Sequence, residues 1–498
     1  MAQPRGHGHR LRTAVAARIA AALSCWVMLV GASMPPALIH PASPASVLHV
    51  AGNQLIDGAG QPVILRGVDV SGTEFACAQG GTATNAGWSI FGGQPEDTPA
   101  TISAIQSWHV NAVRVPLNED CWLGINGISA TFGGDAYRTA ITGFVRDLID
   151  SGMYVIVDLH WNAPGTAVAR SQQPMADEDH APAFWRSVAY TFASSPNVML
   201  DLYNEPFLYQ SYFQNAKQDS WACWLNGCML KQYLSGGQPY TKSYSWQAAG
   251  MQQLVDAVRA TGARNILIAN GLNWANDDSG WLAHRPNDPA GNLAAGWHEY
   301  EGEQCADVSC WARTIAPIAQ RVPVIVGETG DHTGSGCVLV NLPSFLPWAD
   351  SHGVSYLAWT FNPWGYTHDV LITNWKGTPS GCEGLFYAAH LAALAAKPAA
   401  PQNVQSPAFF VPNPVNVHGP STPVAPVLYI ALLAIGFIGV VLGVLIATNF
   451  VHPLISGAPR GLRDSALMLR IGQHRTSVGI LIATCGAICF VFAKIALD

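Results

Sequence analysis

The chain has 498 residues, of which 49% are apolar and only 11% charged, with a formal net charge of −7. That length exceeds one ordinary core, and the apolar excess leaves room for segments in lipid. The acidic balance, with no large basic tract, argues against nucleic-acid binding.

In chain order, Arg5, Arg10, Arg12 and Arg18 precede an apolar run from Ile19 to Val30, followed by small residues and prolines. This is the pattern of a secretory signal; the run is short for a spanning helix, with an uncleaved anchor as the competing reading. Residues 1–46 are therefore read as signal and linker, with cleavage anywhere from Ser33 to Ser46. Either reading places the next domain, residues 47–395, outside the cytoplasm. It begins with "LHVAGNQLIDGAGQPV", a small hairpin that would close the bottom of a barrel.

Eight short apolar runs then recur: "VILRGVDV", "NAVRVPL", "YVIVDLHW", "NVMLDLYNEP", "NILIANG", "NLAAGWHEY", "VPVIVGETG" and "VSYLAWTFN". Helix-like segments fill most gaps, among them "TPATISAIQSW", "YRTAITGFVRDLIDSG", "APAFWRSVAYTFASS" and "YSWQAAGMQQLVDAVRATG". Alternating strand and helix predicts a parallel sheet, and eight such strands over ~250 or more residues fit a closed (β/α)8 TIM barrel. An open doubly wound sheet is the competitor. It would carry a Gly-rich phosphate loop after its first strand, and "GVDVSGTEF" is not one.

Eight cysteines fall in this domain. An even count in an exported domain points to disulfides. Cys223–Cys228 and Cys305–Cys310 are natural local pairs, which leaves Cys77–Cys121 and Cys337–Cys382; other connectivities stay open. Beyond it, residues 396–426 read as a Pro-rich tether. Residues 427–448 and 478–497 are each long and apolar enough to cross a bilayer. Lys494, near the end of the second, can snorkel. The loop at 449–477 carries Arg460, Arg463, Arg470 and Arg475 against Asp464. Basic loops stay cytoplasmic, so the two helices form a membrane hairpin whose orientation agrees with an exported domain. Gly439 and Gly443 give a GxxxG spacing, a common pattern that carries little by itself.

In a barrel of this kind the active site gathers at the strands' C-terminal ends. Those ends carry Arg114, His160, Asn204 with Glu205, His298 with Tyr300, Glu328, and Trp359. Glu205 and Glu328, on the fourth and seventh strands, would meet across the mouth. A carboxyl pair is what glycosidic cleavage requires: one protonated to donate to the leaving oxygen, one ionised to attack. Strict alternation sends Asn204 and Glu205 to opposite faces, so both reach the site only if the strand end bends or bulges.

The ordered set "NAVRVP", "VDLHW", "LYNEP", "WHEY", "VGETG" and "AWTFN" resembles glycoside hydrolase family 5, over nearly the whole soluble domain. The resemblance implies a retaining β-glycan hydrolase, foremost an endo-β-1,4-glucanase, that needs no metal or cofactor. By the matching motifs, Glu205 is the acid/base and Glu328 the nucleophile. Asn204 binds the sugar 2-hydroxyl, Arg114 and Tyr300 steady Glu328, His160 and His298 line the cleavage subsite, and Trp359 lies under the sugar. The membrane hairpin and a cysteine-bearing insert at Trp221–Tyr240 depart from the family pattern.

Other readings compete. A transglycosylase, a mannanase or a β-1,3-glucanase shares the catalytic residues. A carbohydrate-binding surface protein is the non-enzyme alternative. A metal-dependent hydrolase would call for a His-x-His near the first strand, which "RGVDVSG" does not offer. Trp161, Trp274, Trp297 and Trp364 are stacking or core candidates. Glu74 and Asp69 are hydroxyl-binding or structural candidates. "MADEDHAP" is read as a helix cap, because Asp179 and Pro182 precede "AFWRSVAYTF".

Overall fold

The computed structural model describes residues 46–82, 85–215, 217–231, 245–331, 339–365 and 370–396. The expected signal, both expected membrane spans, the loop between them and nearly all of the tether lie outside the described residues. Among the described residues no helix is long and apolar enough to cross a membrane.

Eight parallel strands close into a barrel in chain order. They are β1 (Arg66–Asp69), β2 (Ala112–Asn118), β3 (Tyr154–Trp161), β4 (Val198–Asp201), β5 (Leu267–Asn270), β6 (Leu293–Tyr300), β7 (Val324–Gly330) and β8 (Ser355–Ala358). β8 pairs back onto β1 through Leu357 and Gly67. Outer helices include α1 (Pro99–Gln106), α2 (Asp135–Asp150), α3 (Ala181–Phe192), α4 (Met251–Arg259), α5 (Leu342–His352) and α6 (Glu383–Ala395). Every residue of β2, β4, β5, β6 and β7 is buried, as a sheet covered on both faces requires.

Two apolar cores follow from the two faces of the strands. One, between strands and helices, holds Val113, Val155, Val157 and Leu200. The other lies inside the barrel and holds Leu65, Ala112, Ile156, Met199, Ile268, Ala294, Ile325 and Leu357. Leu48 and Leu55 belong to this inner cluster. They come from the N-terminal antiparallel sheet of Leu48–Ala51, Gln54–Asp57 and Pro62–Val63, so the expected hairpin does plug the barrel bottom.

The period of two now fixes what lies above the apolar layer. Moving two residues up from Ala112, Ile156, Met199 and Ile268 reaches Arg114, Asp158, Asp201 and Asn270, and Asp69 stands four up from Leu65. The inner face thus changes from oil to charge within one side-chain layer. Arg114 is consequently the third residue of β2 rather than its end.

The helix expected from Tyr244 begins only at Met251, because Ser245–Ala248 pairs with Cys228–Lys231 as an antiparallel ribbon. The expected disulfides Cys77–Cys121, Cys223–Cys228 and Cys305–Cys310 are present. Cys382 is also disulfide-bonded, while its expected partner Cys337 lies outside the described residues.

Candidate active site

Arg114 is the hub of the polar layer and is fully buried. Its Nη1 donates to Glu328 Oε1 at 2.7 Å and to Asp69 Oδ1 at 3.2 Å. Its Nη2 reaches Asn204 Oδ1 at 2.7 Å, Asp201 Oδ2 at 3.1 Å and Asp158 Oδ2 at 3.2 Å. The one guanidinium thus holds Glu328 and also neutralises the three buried aspartates around it.

Glu328 reaches the mouth through an irregularity. Ile325 faces inward, so strict alternation would turn Glu328 outward. The register of β7 slips against β6, where Trp297 pairs with Val326 but His298 pairs with Glu328. It slips again against β8 between Val326 and Thr329. One extra residue re-aims the side chain. That residue, Gly327, has no room for a side chain: a Cβ there would lie 2.9 Å from His298 Nε2. Tyr300 donates its hydroxyl to Glu328 Oε2 at 2.8 Å. Burial alone would raise the Glu328 carboxyl, but the charges of His298, Arg114 and His160 and the Tyr300 hydroxyl outweigh it and bring its pKa to about 2.

Glu205 needs no bulge. β4 ends at Asp201, and Leu202–Pro206 continues as irregular chain in which alternation no longer applies. Asn270 holds this turn, its Nδ2 donating to Asp201 Oδ1 at 2.8 Å, Tyr203 O at 3.0 Å and Asn204 O at 2.8 Å. Gln172 holds it from the other side: Nε2 donates to Glu205 O at 2.6 Å, and Oε1 accepts from Asn204 Nδ2 at 2.5 Å.

His298 joins the two acids. Its Nδ1 lies 2.9 Å from Glu205 Oε1 and 3.7 Å from Glu328 Oε2. A Glu205 oxygen, a Glu328 oxygen and a His298 ring nitrogen all lie within 4.8 Å of one another. Glu328 is nearly closed off, with a side chain 7% exposed, whereas that of Glu205 is 19% exposed.

A family model described as cellulase (glycosyl hydrolase family 5) matches residues 58–365, well over half of the chain. The chain belongs to glycoside hydrolase family 5. Among its relatives, endoglucanase CelA of Streptomyces lividans is 24% identical over 356 residues, covering 70% of this chain and 61% of the relative. Endoglucanase MaCel5A of Microbulbifer sp. is 23% identical over 324 residues, covering 63% and 51%. This family 5 chain thus spans between about half and three fifths of the length of these curated relatives. The β-glucanase SdGluc5_26A of Saccharophagus degradans, a solved structure, is 21% identical, with a TM-score of 0.50, covering 73% of this chain and 98% of that one. At that identity the likeness speaks for the fold alone.

Beside the Glu205–Glu328 pair runs a cleft of ≈ 580 Å³ lined by Ser71, Glu74, Phe75, His160, Trp161, Trp359 and Trp364 among others. The ring planes of His160 and Trp359 lie 12° apart with centroids 5.7 Å apart. His160 Nδ1 is 2.8 Å from Asp158 Oδ2. Burial alone would lower the imidazole, yet the Asp158 carboxylate outweighs it and lifts its pKa to about 9. Trp161 and Trp364 therefore border open space, whereas Trp297 is fully buried core. Trp274 stacks on Phe207 away from this cleft, centroids 3.9 Å apart. Glu74 accepts from Ser71 Oγ and from Gly72 N and holds the cleft wall.

The "MADEDHAP" reading needs correcting. α3 begins after His180 without a side-chain cap. Asp179 instead accepts from Gly165 N at 2.7 Å, and Asp177 from His180 N at 2.9 Å. These acids pin the loop after β3. Among the described residues, three acid–histidine groups are compact enough to hold a cation: Glu119–Asp120–His180, Asp177–Asp179–His180, and the Glu205–His298–Glu328 trio itself. Sequence reasoning missed Asp201, Asn270 and Gln172. The first two announce themselves as polar residues inside apolar strands, in "VMLDL" and "ILIAN"; Gln172 gives no such signal.

Proposed function

We propose that the chain is a retaining glycoside hydrolase of β-linked glucan, foremost an endo-β-1,4-glucanase. The observation that carries the reading is the Glu205–Glu328 pair, with oxygens within 4.8 Å of each other. Retaining enzymes hold their two carboxyl groups roughly 5–5.5 Å apart, and inverting enzymes about 6.5–9.5 Å apart to admit a water. The curated relatives named endoglucanase support the substrate class.

In this reading Glu328, kept ionised by Arg114 and Tyr300, attacks the anomeric carbon. The bond to the leaving oxygen breaks as Glu205 gives that oxygen its proton, and a glycosyl ester forms on Glu328. Glu205, now a carboxylate, takes a proton from water. The water oxygen bonds the anomeric carbon, and the ester bond breaks to free Glu328. His298 stands between the two acids, holds Glu205 by a hydrogen bond and lies 3.7 Å from Glu328. Asn204 offers an amide to the sugar 2-hydroxyl, and Trp359 with His160 forms the floor of the subsite.

The test uses the purified full-length chain on a panel of soluble β-glycans, with product configuration followed by NMR. Initial products of inverted configuration would overturn the mechanism. Glu205→Ala is expected to lose roughly 10²–10⁴-fold on glucan and to be rescued by azide on an activated aryl glycoside. Glu328→Ala gives no azide product of retained configuration. Wild-type rates in both variants would end the assignment.

We further infer that the catalytic domain, residues 47–395, is exported and tethered by residues 396–426 to a two-helix membrane hairpin. The signal-like N-terminus and the basic loop at 449–477 support this, as do disulfides, which persist in oxidising compartments. Protease digestion of intact cells tests it: a protected catalytic domain would refute export.

A further inference from the structure

We propose that a second groove, built by the segment between β4 and β5, is a distal subsite for uncharged β-glucan units on the leaving-group side of the bond being cut. The proposal rests on the reading of Glu205 as the acid that protonates the leaving oxygen. Four residues past Glu205, Tyr209 enters the wall of a groove of ≈ 590 Å³, which is also lined by Lys217, Trp221, Asn273, Asp277 and Gln304. Its volume falls in the range of roughly 300–1,000 Å³ usual for small-molecule sites. A chain whose leaving oxygen meets Glu205 is led toward this groove, while the His160–Trp359 cleft lies beside the acids on other strands.

The junction between acid and groove is rigid. Trp274 N donates to Pro206 O at 3.0 Å, next to Glu205 in sequence. Trp274 Nε1 donates to the Tyr209 hydroxyl at 2.7 Å, and the indole lies flat on Phe207. To reach this position Asn273, Trp274 and Ala275 adopt φ of 52°, 60° and 58°. Three successive non-glycine residues in the left-handed region are costly and persist only where surrounding contacts over-determine them.

The outer wall is equally fixed, and it belongs to the described start of the insert that departs from the family pattern, residues 221–231. The Cys223–Cys228 disulfide staples it. Trp224 Nε1 donates to Asn270 O at 2.8 Å and ties it to the end of β5. Ser220 Oγ donates to Leu208 O at 3.0 Å. Trp221 leans on Trp224 and stacks on His284, over Gly280, where a Cβ would lie 2.5 Å from its ring. A braced aromatic ring among amides, one lysine and two carboxylates suits a sugar. The ring takes the C–H face and the polar groups take hydroxyls as donor or acceptor. The mixture of Lys217 with Asp219 and Asp277 favours a neutral polyol over an anion.

The test compares kcat/KM for cellohexaose, which reaches the groove, with that for an aryl β-cellobioside, whose leaving group is too short to do so. In Trp221→Ala, and in Gln304→Ala at an exposed position, the ratio of the two is expected to fall by about two- to tenfold. Bond cleavage in cellohexaose, mapped by ¹⁸O-water labelling, moves toward the reducing end. A thermal melt of each variant shows that the fold is kept. A ratio unchanged in Gln304→Ala and Trp221→Ala, or a parallel fall on both substrates, overturns the subsite. Wild-type inactivity on both substrates overturns the catalytic reading, and the subsite with it.

Discussion

Replacing Arg114 by Met tests the centre of the site most severely. The guanidinium is fully buried and serves four carboxylates, those of Asp69, Asp158, Asp201 and Glu328. Methionine fills much of the volume but leaves four acids facing one another. Breaking a buried ion pair by removing one partner costs about 3–5 kcal/mol. At roughly 2–4 °C per kcal/mol, the melting temperature is expected to fall on the order of 10 °C. Arg114→Lys keeps the charge but presents only three donors from one point. It is expected to fall between wild type and Arg114→Met. A second readout separates catalysis from folding. With Arg114 gone, Glu328 loses a charge that favours its ionised form, so its pKa rises from about 2 and activity fails at a higher pH on the acid side. The assays are calorimetry and a pH profile of kcat/KM. An Arg114→Met protein with wild-type melting and an unmoved acid limb would refute the hub.

His298→Ala removes the group between the two acids; kcat is expected to drop by about 10²-fold or more with little change in KM, as steady-state kinetics will read. Gly296→Ala places a Cβ 1.8 Å from Asn270 Oδ1. Displaced, Asn270 no longer holds the Glu205 turn, so stability is expected to fall by about 1–3 kcal/mol together with kcat, as read from denaturation and kinetics. Thermal stability as a whole should decline from mildly acidic toward alkaline pH. Burial pushes Asp177 up to about 6, Asp201 to about 7, and Glu96, Asp120 and Glu299 to about 8. The folded chain therefore holds protons that the unfolded chain releases near pH 4, and stability falls as pH rises between those values. His160, raised to about 9, acts in the same direction: its contribution is complete below about pH 6.5 and lost as pH rises toward 9. Melting temperatures that rise from pH 5 to pH 8 would contradict this.

The barrel was legible because its strands are buried on both faces and so read as unbroken apolar runs. The eight proposed strands all appear, and the strand-end polar residues do converge. The register irregularity was legible only as a necessity. Alternation shows that some neighbouring pair must break the rule, and the sequence places the conflict at Asn204–Glu205. There the strand simply stops three residues early. The slip lies in β7 instead, where Gly327 tolerates the close approach of His298. A glycine before a strand-end acid is a signal of that kind, but one glycine among 48 carries little weight unaided. Tyr244–Ala248 has helical periodicity too short to outweigh an available ribbon partner at Cys228–Lys231. Asp179 sits where a cap would sit, yet the Gly165 amide wins it. Gln172 was invisible because a loop glutamine reads as solvent-facing until folding buries it against Asn204.

In the proposed mechanism, the division of labour between two chemically identical side chains comes from where barrel closure leaves them. Glu328 stands on a strand, closed off, with a guanidinium on one oxygen and a phenol on the other. Both contacts favour the carboxylate and fix its orientation. Glu205 stands beyond a strand end, on a chain segment whose carbonyls, rather than its carboxyl, are clamped by Asn270 and Gln172. Its side chain is freer and more exposed, and it is paired with the titratable His298. An acid that must give up a proton and then recover one benefits from such a position, and an acid that must stay ionised does not. Exchanging the two environments would exchange the two roles, which is why the surrounding polar layer, and not the pair alone, specifies the direction of the reaction.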